Sequence, residues 1–453
     1  MTRHKQSLKQ IGMLALALFC MATTGGCSVW RCGLSGCANE REAFPAAVAN
    51  VMARGQLFLG HGASQRHFPW PVEGTTQELA NRFHELASQL SDIDDPRCCD
   101  YFYQASVFSW HILVDQAEDR ATWQQAWRTY HSSLAGLIAD ATRFGRIEHG
   151  HLRVYRPAGA LDIPLVSRGL PIPVDKLSEI RLVSESCKGK LKQVHSNAGL
   201  GVPALGIRQQ RPAQGKQIVE PAEQYYPARL PLATTIVLRA NLRQELAASP
   251  VPSSEFVLEL INPLQTRSAL VGDCEHRVAR NISAPLNYLM QIRPSNPVTG
   301  FLLPGSETRD EGLKWLEPYQ PGKIPVVFVH GLLSDPSTWM DMVNDLRTQN
   351  WFNERYQVWG FSYATGSPFV ASASRLREQL REIRHAVDPM AQDAALGQMV
   401  MVGHSMGGLV AKLQVADSGD RIWNSVSHVP LNSIKAAEGI KTNLRKGLYF
   451  TPQ

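Results

Sequence analysis

The stretch that most constrains what this chain can fold into is Gly403-His404-Ser405-Met406-Gly407-Gly408. The apolar run Met399-Val400-Met401-Val402 precedes it, and Leu409, Val410, Leu413 and Ala416 follow at helical spacing. That pattern predicts a strand, a turn and a helix in that order. So abrupt a turn holds its central residue at strained backbone angles, and only small residues two before and two after it avoid a clash. Gly403 and Gly407 stand at those two places. The strain lifts the Ser405 oxygen out of the sheet edge, where a histidine can reach it. It also aims backbone N–H groups at the position an oxyanion would take. The five-residue pattern by itself is weak, since about 0.1 to 0.2 chance matches arise in a chain of this length. Its flanks carry the weight: Met399 to Val402 reads as a strand buried on both faces of a parallel sheet. His404 points away from the serine oxygen in such a turn and is read as structural.

A second segment supports the first. Ile324-Pro325-Val326-Val327-Phe328-Val329 ends in His330-Gly331-Leu332-Leu333, and Ser334-Asp335-Pro336-Ser337-Thr338-Trp339 then starts a helix running through Asp341 to Leu346. A buried strand ending in His-Gly lets the chain turn sharply, so that the next amide can face the serine. Between the two segments, Tyr356 to Phe361 reads as another strand. Val370 to Ala386, with Leu376, Leu380 and Ile383 on one face, reads as a surface helix closed by Pro389. Strands alternating with helices imply right-handed parallel crossovers and a doubly wound α/β sheet.

Over about Lys323 to Leu413 the chain resembles the α/β-hydrolase superfamily, within it the lipase and esterase type that carries His-Gly-Leu and Gly-His-Ser-Met-Gly-Gly. The resemblance implies that Ser405 is the nucleophile of a serine hydrolase. The backbone N–H groups of Leu332 and Met406 would form the oxyanion hole. It implies no metal and no organic cofactor, and an acyl ester as substrate. It also implies a triad in the order Ser, Asp or Glu, His, with acid and base after later strands. Asp417 to Gln453 offers Asp417, Asp420, Glu438 and the single histidine His428, and Asn432 to Lys446 reads as one amphipathic helix ending at Gly447. The sequence is therefore read as the N-terminal part (323–453) of a longer hydrolase domain. Acid and base would be missing and the chain inactive as it stands, unless His428 substitutes.

At 453 residues, 44% hydrophobic and 19% charged, the chain has room for more than one globular domain. A net charge of +6 is modest for this length. With no run of five or six basic residues, it excludes nucleic acid as a natural partner. Arg3, His4, Lys5 and Lys9 precede the apolar Ile11 to Met21, which is too short for the roughly 20 residues needed to span a bilayer. Thr23-Thr24-Gly25-Gly26 then leads into Cys27. This has the parts of an export signal and resembles a bacterial lipoprotein signal. The resemblance implies lipidation of Cys27, membrane attachment through that lipid, and an outer-membrane position facing the periplasm; a soluble exported protein is the alternative. In an oxidising compartment Cys32, Cys37, Cys98, Cys99, Cys187 and Cys274 could pair or remain buried thiols.

The rest of the chain divides by composition. After the signal (1–26) and a tether (27–44), a helical module (45–150) opens with a capping box at Thr75 and Glu78. It carries Trp123, Trp127, Tyr130, Leu134 and Leu137 on one stripe, read as core. A β-rich domain of unknown role (151–293) contains the runs Ile163 to Val166, Ile180 to Val183, Thr234 to Leu238 and Phe256 to Ile261. A stretch rich in Pro and Gly (294–322) reads as a linker. The leading expectation is a cell-envelope serine hydrolase cleaving carboxylic esters. Acyltransferase, thioesterase or amidase chemistry would use the same turn. A non-catalytic envelope lipoprotein using the fold to bind acyl groups or a partner is the rival.

Overall fold

The computed structural model describes residues 74–115, 119–156, 159–183, 189–210, 221–240, 256–292 and 311–452. The signal, the tether, Cys27, Cys32, Cys37 and Cys187 lie outside them. Among the described residues no helix is long and apolar enough to cross a membrane.

Helix α1 (Thr76–Asp92) begins at the capping box, where the Thr75 hydroxyl accepts from the Glu78 N–H and the Glu78 carboxylate accepts from the Thr75 N–H at 2.8 Å. Helix α2 (Cys98–Val114) is predominantly apolar, and every residue but Tyr103 is buried. A helix of that kind belongs between layers. Helix α3 (Arg120–Phe144) starts at Asp119, whose carboxylate accepts from the Ala121 and Thr122 amides. The strands β1 (Gly145–Glu148), β2 (His151–Arg156), β3 (Gly159–Arg168), β4 (Glu179–Leu182), β5 (Ser196–Asn197), β6 (Val202–Gln209), β7 (Arg229–Ala240) and β8 (Phe256–Ile261) follow. Seven of these form one sheet in the order β1-β2-β3-β8-β7-β6-β4, with β5 outside it.

The helices and this sheet share one hydrophobic core, from Phe83, Trp110 and Leu134 to Ile163, Ile236 and Leu258. The Tyr130 hydroxyl ties them by donating to the Leu238 carbonyl at 2.9 Å. The helical module and the β-rich domain are therefore one two-layer unit rather than two. The composition shift marks where helices give way to strands, and α2 supplies the apolar surface that both layers need. Cys98 and Cys99 are buried thiols within α2, and among the described residues no disulfide joins them or Cys274.

Strands β9 (Ser268–Val271) and β10 (Cys274–Arg277) form a hairpin, and β11 (Arg280–Asn281) pairs with β5. Helix α4 (Ala284–Ile292) then lies between two cores. Ala284 and Tyr288 pack with Leu205 and Ile207 of β6, while Leu286 packs with Val326, Phe328 and Val343 of the next sheet.

That next sheet is built from β12 (Gly312–Trp315), β13 (Ile324–Val329), β14 (Tyr356–Ser362) and β15 (Val400–Gly403), in the order β12-β14-β13-β15. Strand β13 runs parallel to both β14 and β15, and β12 runs antiparallel to β14. Helices α5 (Met340–Leu346), α6 (Asn350–Arg355), α7 (Phe369–Val387), α8 (Met406–Val415), α9 (Arg421–Asn424) and α10 (Glu438–Leu448) surround it. Side chains alternate across a strand. Val327, Val329, Trp359 and Phe361 accordingly meet Leu376, Leu380 and Ile383 of α7 and Val410 of α8. Val326, Phe328 and Val358 meet Val343 of α5 and Phe352 of α6 on the other side.

Three sequence expectations are corrected. The stretch 294–322 is not only linker, because Gly312–Trp315 is a strand of this sheet and Trp315 is fully buried, stacked between Tyr225 and Trp359. The surrounding Gly and Pro residues masked so short a strand. Strand β15 is not buried on both faces: it is the sheet's edge, and Val400 is 37% exposed. Residues 432–446 do not form one helix ending at Gly447. A 3-10 turn at Leu431–Ser433 is followed by extended backbone at Ala437, and α10 then runs through Gly447. The chain leaves α10 only where Phe450 buries itself against the core.

Candidate active site

The register of β13 and β15 places Val329 beside Gly403, so the turns that follow the two strands are neighbours. The His404 N–H donates to the Val329 carbonyl at 3.1 Å, extending the ladder by one bond beyond the strand end. The chain then reverses into α8, and Ser405 absorbs the turn at φ 51°, ψ −123°. For a residue with a side chain this left-handed conformation costs on the order of 1–3 kcal/mol and persists only where its surroundings enforce it.

The glycines show how the surroundings enforce it. A Cβ on Gly407 would lie 2.3 Å from the His330 carbonyl oxygen and 2.4 Å from that of Val329. One on Gly403 would lie 2.5 Å from the Gly407 oxygen. Start of helix and end of strand are thus in backbone contact, which no other residue type permits. A Cβ on Gly331 would come within 3.2 Å of Ser405 Cβ and 2.8 Å of His404 Nδ1, so the His-Gly turn lies directly against the serine. Leu333 completes that turn at φ 52°, with its N–H directed to Thr365 Oγ1 at 3.4 Å.

His330 is 1% exposed and stacks on Tyr363 with centroids 4.4 Å apart. Its Nε2 accepts from the Tyr363 N–H at 3.2 Å and its Nδ1 faces the Gly331 carbonyl at 3.1 Å, which fixes the tautomer with the proton on Nδ1. Burial pushes its pKa below the usual histidine value, against a smaller raising effect of the Gly331 carbonyl. A neutral ring with both nitrogens engaged holds the loop and has no free nitrogen for Ser405. The Tyr363 hydroxyl closes the arrangement by donating to the His330 carbonyl at 2.8 Å. Tyr363 and Thr365 escaped the sequence reading. Their one sequence signal is their place just past the end of β14.

Ser405, Gly403, Gly407, Met406 and the turn bearing Leu332 therefore meet at the carboxyl ends of β13 and β15. The connections from β13 diverge there, to β14 on one side and β15 on the other, the kind of crevice where open α/β sheets bind ligands. The Ser405 hydroxyl makes no capping bond to α8, and Met406, as the first residue of α8, has no intrahelical acceptor for its N–H. Leu332, Leu333 and Leu409 stand 48%, 51% and 49% exposed around the turns. His428 does not join this site; it lines a separate cleft with Arg377 and Tyr449. Among the described residues no group of three or more His, Cys, Asp and Glu side chains could hold a metal ion.

Residues 320–429 match the family model of the PGAP1-like alpha/beta domain. That family is α/β-hydrolase-like, so this part of the chain carries an α/β-hydrolase-like domain, and the match suggests a hydrolase-type function. No curated protein and no solved structure matches the chain.

Proposed function

We propose that the protein is a serine hydrolase of carboxylic esters on a doubly wound sheet, with Ser405 as nucleophile and the Leu332 and Met406 amides as oxyanion hole. The observation that carries this reading is the left-handed backbone of Ser405 at the end of β15, locked by contacts that only Gly403, Gly407 and Gly331 permit. That geometry presents Oγ to a substrate carbonyl. Attack would form an ester between Ser405 and the acyl group, and water would release it. Each oxyanion donor, aimed at charge that exists only in the transition state, is worth about 10²–10³ in rate. The exposed leucines around the turns suit an acyl chain. Membrane attachment through a lipid on Cys27 completes the proposal of an envelope enzyme.

A second reading follows from a specific observation: among the described residues, no histidine or carboxylate is hydrogen-bonded to the Ser405 hydroxyl. Without a base the same crevice would hold acyl esters and not cleave them. A fluorophosphonate probe on the 453-residue protein, expressed with its N-terminus intact and fractionated into membrane and soluble parts, separates the two. Labelling that Ser405→Ala abolishes, in a membrane fraction that Cys27→Ala empties, supports the envelope enzyme. Absence of labelling, together with saturable binding of a fluorescent acyl ester, replaces it with the binding module.

A further inference from the structure

Two turns pack together at the carboxyl ends of β13 and β14. One follows β13 and carries His330, Gly331, Leu332 and Leu333; the other follows β14 and carries Tyr363, Ala364 and Thr365. The second turn is braced at both ends. It leaves β14 at Ser362, is closed by the Ser367 N–H donating to the Ala364 carbonyl at 3.1 Å, and passes into α7 at Phe369. Tyr363 and Thr365 are each 5% exposed. Burial pushes the Tyr363 pKa up to about 12, so its hydroxyl keeps the proton it donates.

Three successive peptide groups of the first turn are each held. The carbonyl of the His330–Gly331 peptide accepts from the Tyr363 hydroxyl at 2.8 Å. The carbonyl of the Gly331–Leu332 peptide accepts from His330 Nδ1 at 3.1 Å, and that nitrogen carries the proton because the Tyr363 N–H occupies Nε2 at 3.2 Å. The N–H of the Leu332–Leu333 peptide points to Thr365 Oγ1 at 3.4 Å, which supports the left-handed φ of 52° at Leu333. A trans peptide is planar, with its C=O and N–H directed oppositely. Drawing the Gly331 carbonyl inward to the buried His330 ring therefore turns the Leu332 N–H outward, on a turn that lies against Ser405. Among the described residues no acceptor meets that N–H. A donor held in fixed peptide planes is aimed in advance and needs no reorganisation when charge develops in front of it.

We propose that Tyr363 and Thr365 are positioning residues for the Leu332 oxyanion donor: Tyr363 sets the His330 tautomer and the first two peptide planes, and Thr365 sets the third. This assignment rests on Ser405 being the nucleophile of the proposed serine hydrolase. Both residues act through the turn and not on substrate.

The test compares the 453-residue protein with three variants. Tyr363→Phe removes the hydroxyl and keeps the ring on His330, Thr365→Val removes the acceptor at similar volume, and Thr365→Ser retains it. Circular dichroism and melting temperature establish folding, and fluorophosphonate labelling counts reactive Ser405 sites. With p-nitrophenyl butyrate, kcat per labelled site should fall about tenfold to a hundredfold in Tyr363→Phe and in Thr365→Val, a share of what a whole donor is worth, while KM holds. Affinity for phenylboronic acid, whose adduct with Ser405 Oγ is a tetrahedral anion resembling the transition state, should drop by a similar factor. Thr365→Ser should restore both. A purely structural role would lower the melting temperature and the number of labelled sites, with kcat per site and boronate affinity unchanged; that result overturns the positioning and leaves Ser405 the nucleophile. A rise in KM at constant kcat overturns it equally. No labelling of the unaltered protein overturns the nucleophile itself, and the positioning with it.

Discussion

Phe256–Ile261 and Val400–Gly403 begin as short runs dominated by apolar residues, yet every residue of β8 is buried while Val400 at the start of β15 stands 37% exposed. Neighbours make the difference. Strand β8 lies between β3 and β7, and its one carboxylate, Glu259, is paired with Arg168 at 2.8 Å and with Arg239 at 3.4 Å. Among the described residues strand β15 pairs with β13 on one side only, and Leu409 and Val415 of the helix it feeds are 49% and 65% exposed. The N-terminal unit has closed its core on both layers. The α/β-hydrolase-like sheet is open at the edge where Ser405 sits. Similar hydrophobicity thus serves stability in one place and leaves apolar surface uncovered in the other.

The largest expected effect tests the closed side. Leu258→Ala in β8 should destabilise the protein by about 2–5 kcal/mol, the range for a cavity in a core that cannot collapse; urea unfolding measures it, and a change below about 1 kcal/mol would show that β8 is less enclosed than its burial implies. The next concerns acid. His111 is held neutral by burial, with its pKa lowered from 6.5 to about 4, and burial also lowers His84, His131 and His276 of the same unit. The unfolded chain takes up protons that the folded unit refuses, so stability is complete above pH 6.5 and is lost as pH falls toward 4. His111 accounts for up to about 3 kcal/mol of that loss. His111→Gln should flatten the slope of melting temperature against pH; an unchanged slope would remove His111 from the account. The smallest effect belongs to the open edge. Val400→Ala should alter stability by no more than about 0.5 kcal/mol, and a loss comparable with Leu258→Ala would erase the contrast.

Much of the site was legible because its signals are local. The requirement for glycine at 403 and 407 follows from backbone contact within one turn, and His330-Gly331 marks the end of an apolar strand. The capping box at Thr75 and Glu78 is equally local. What stayed hidden depends on partners distant in sequence. That β15 is an edge strand follows from sheet order, which a strand's own residues do not encode. The shared core of α1–α3 and the seven-stranded sheet needs the contact between Tyr130 and Leu238. Strand β12 is only four residues long and owes its place to the stacking of Trp315 on Trp359, and Gly447 continues a helix because its effect is overridden by the burial of Phe450. The engagement of both His330 ring nitrogens, by the Tyr363 N–H and the Gly331 carbonyl, depends on a residue 33 positions away that nothing near His330 in sequence announces.

Helix α4 gives the molecule a property that neither sheet has alone. Its nine residues place Ala284 and Tyr288 in one core and Leu286 in another. Beside it, the buried Asn344 of α5 donates to the Gln193 carbonyl at 2.8 Å and accepts from the Ser283 hydroxyl at 2.7 Å. Neither half can loosen without stripping partners from the other, so the two share their cooperativity. A perturbation far from Ser405 that melts the first sheet also withdraws the support beneath β13, and the strained turn is only as durable as the least stable layer connected to it.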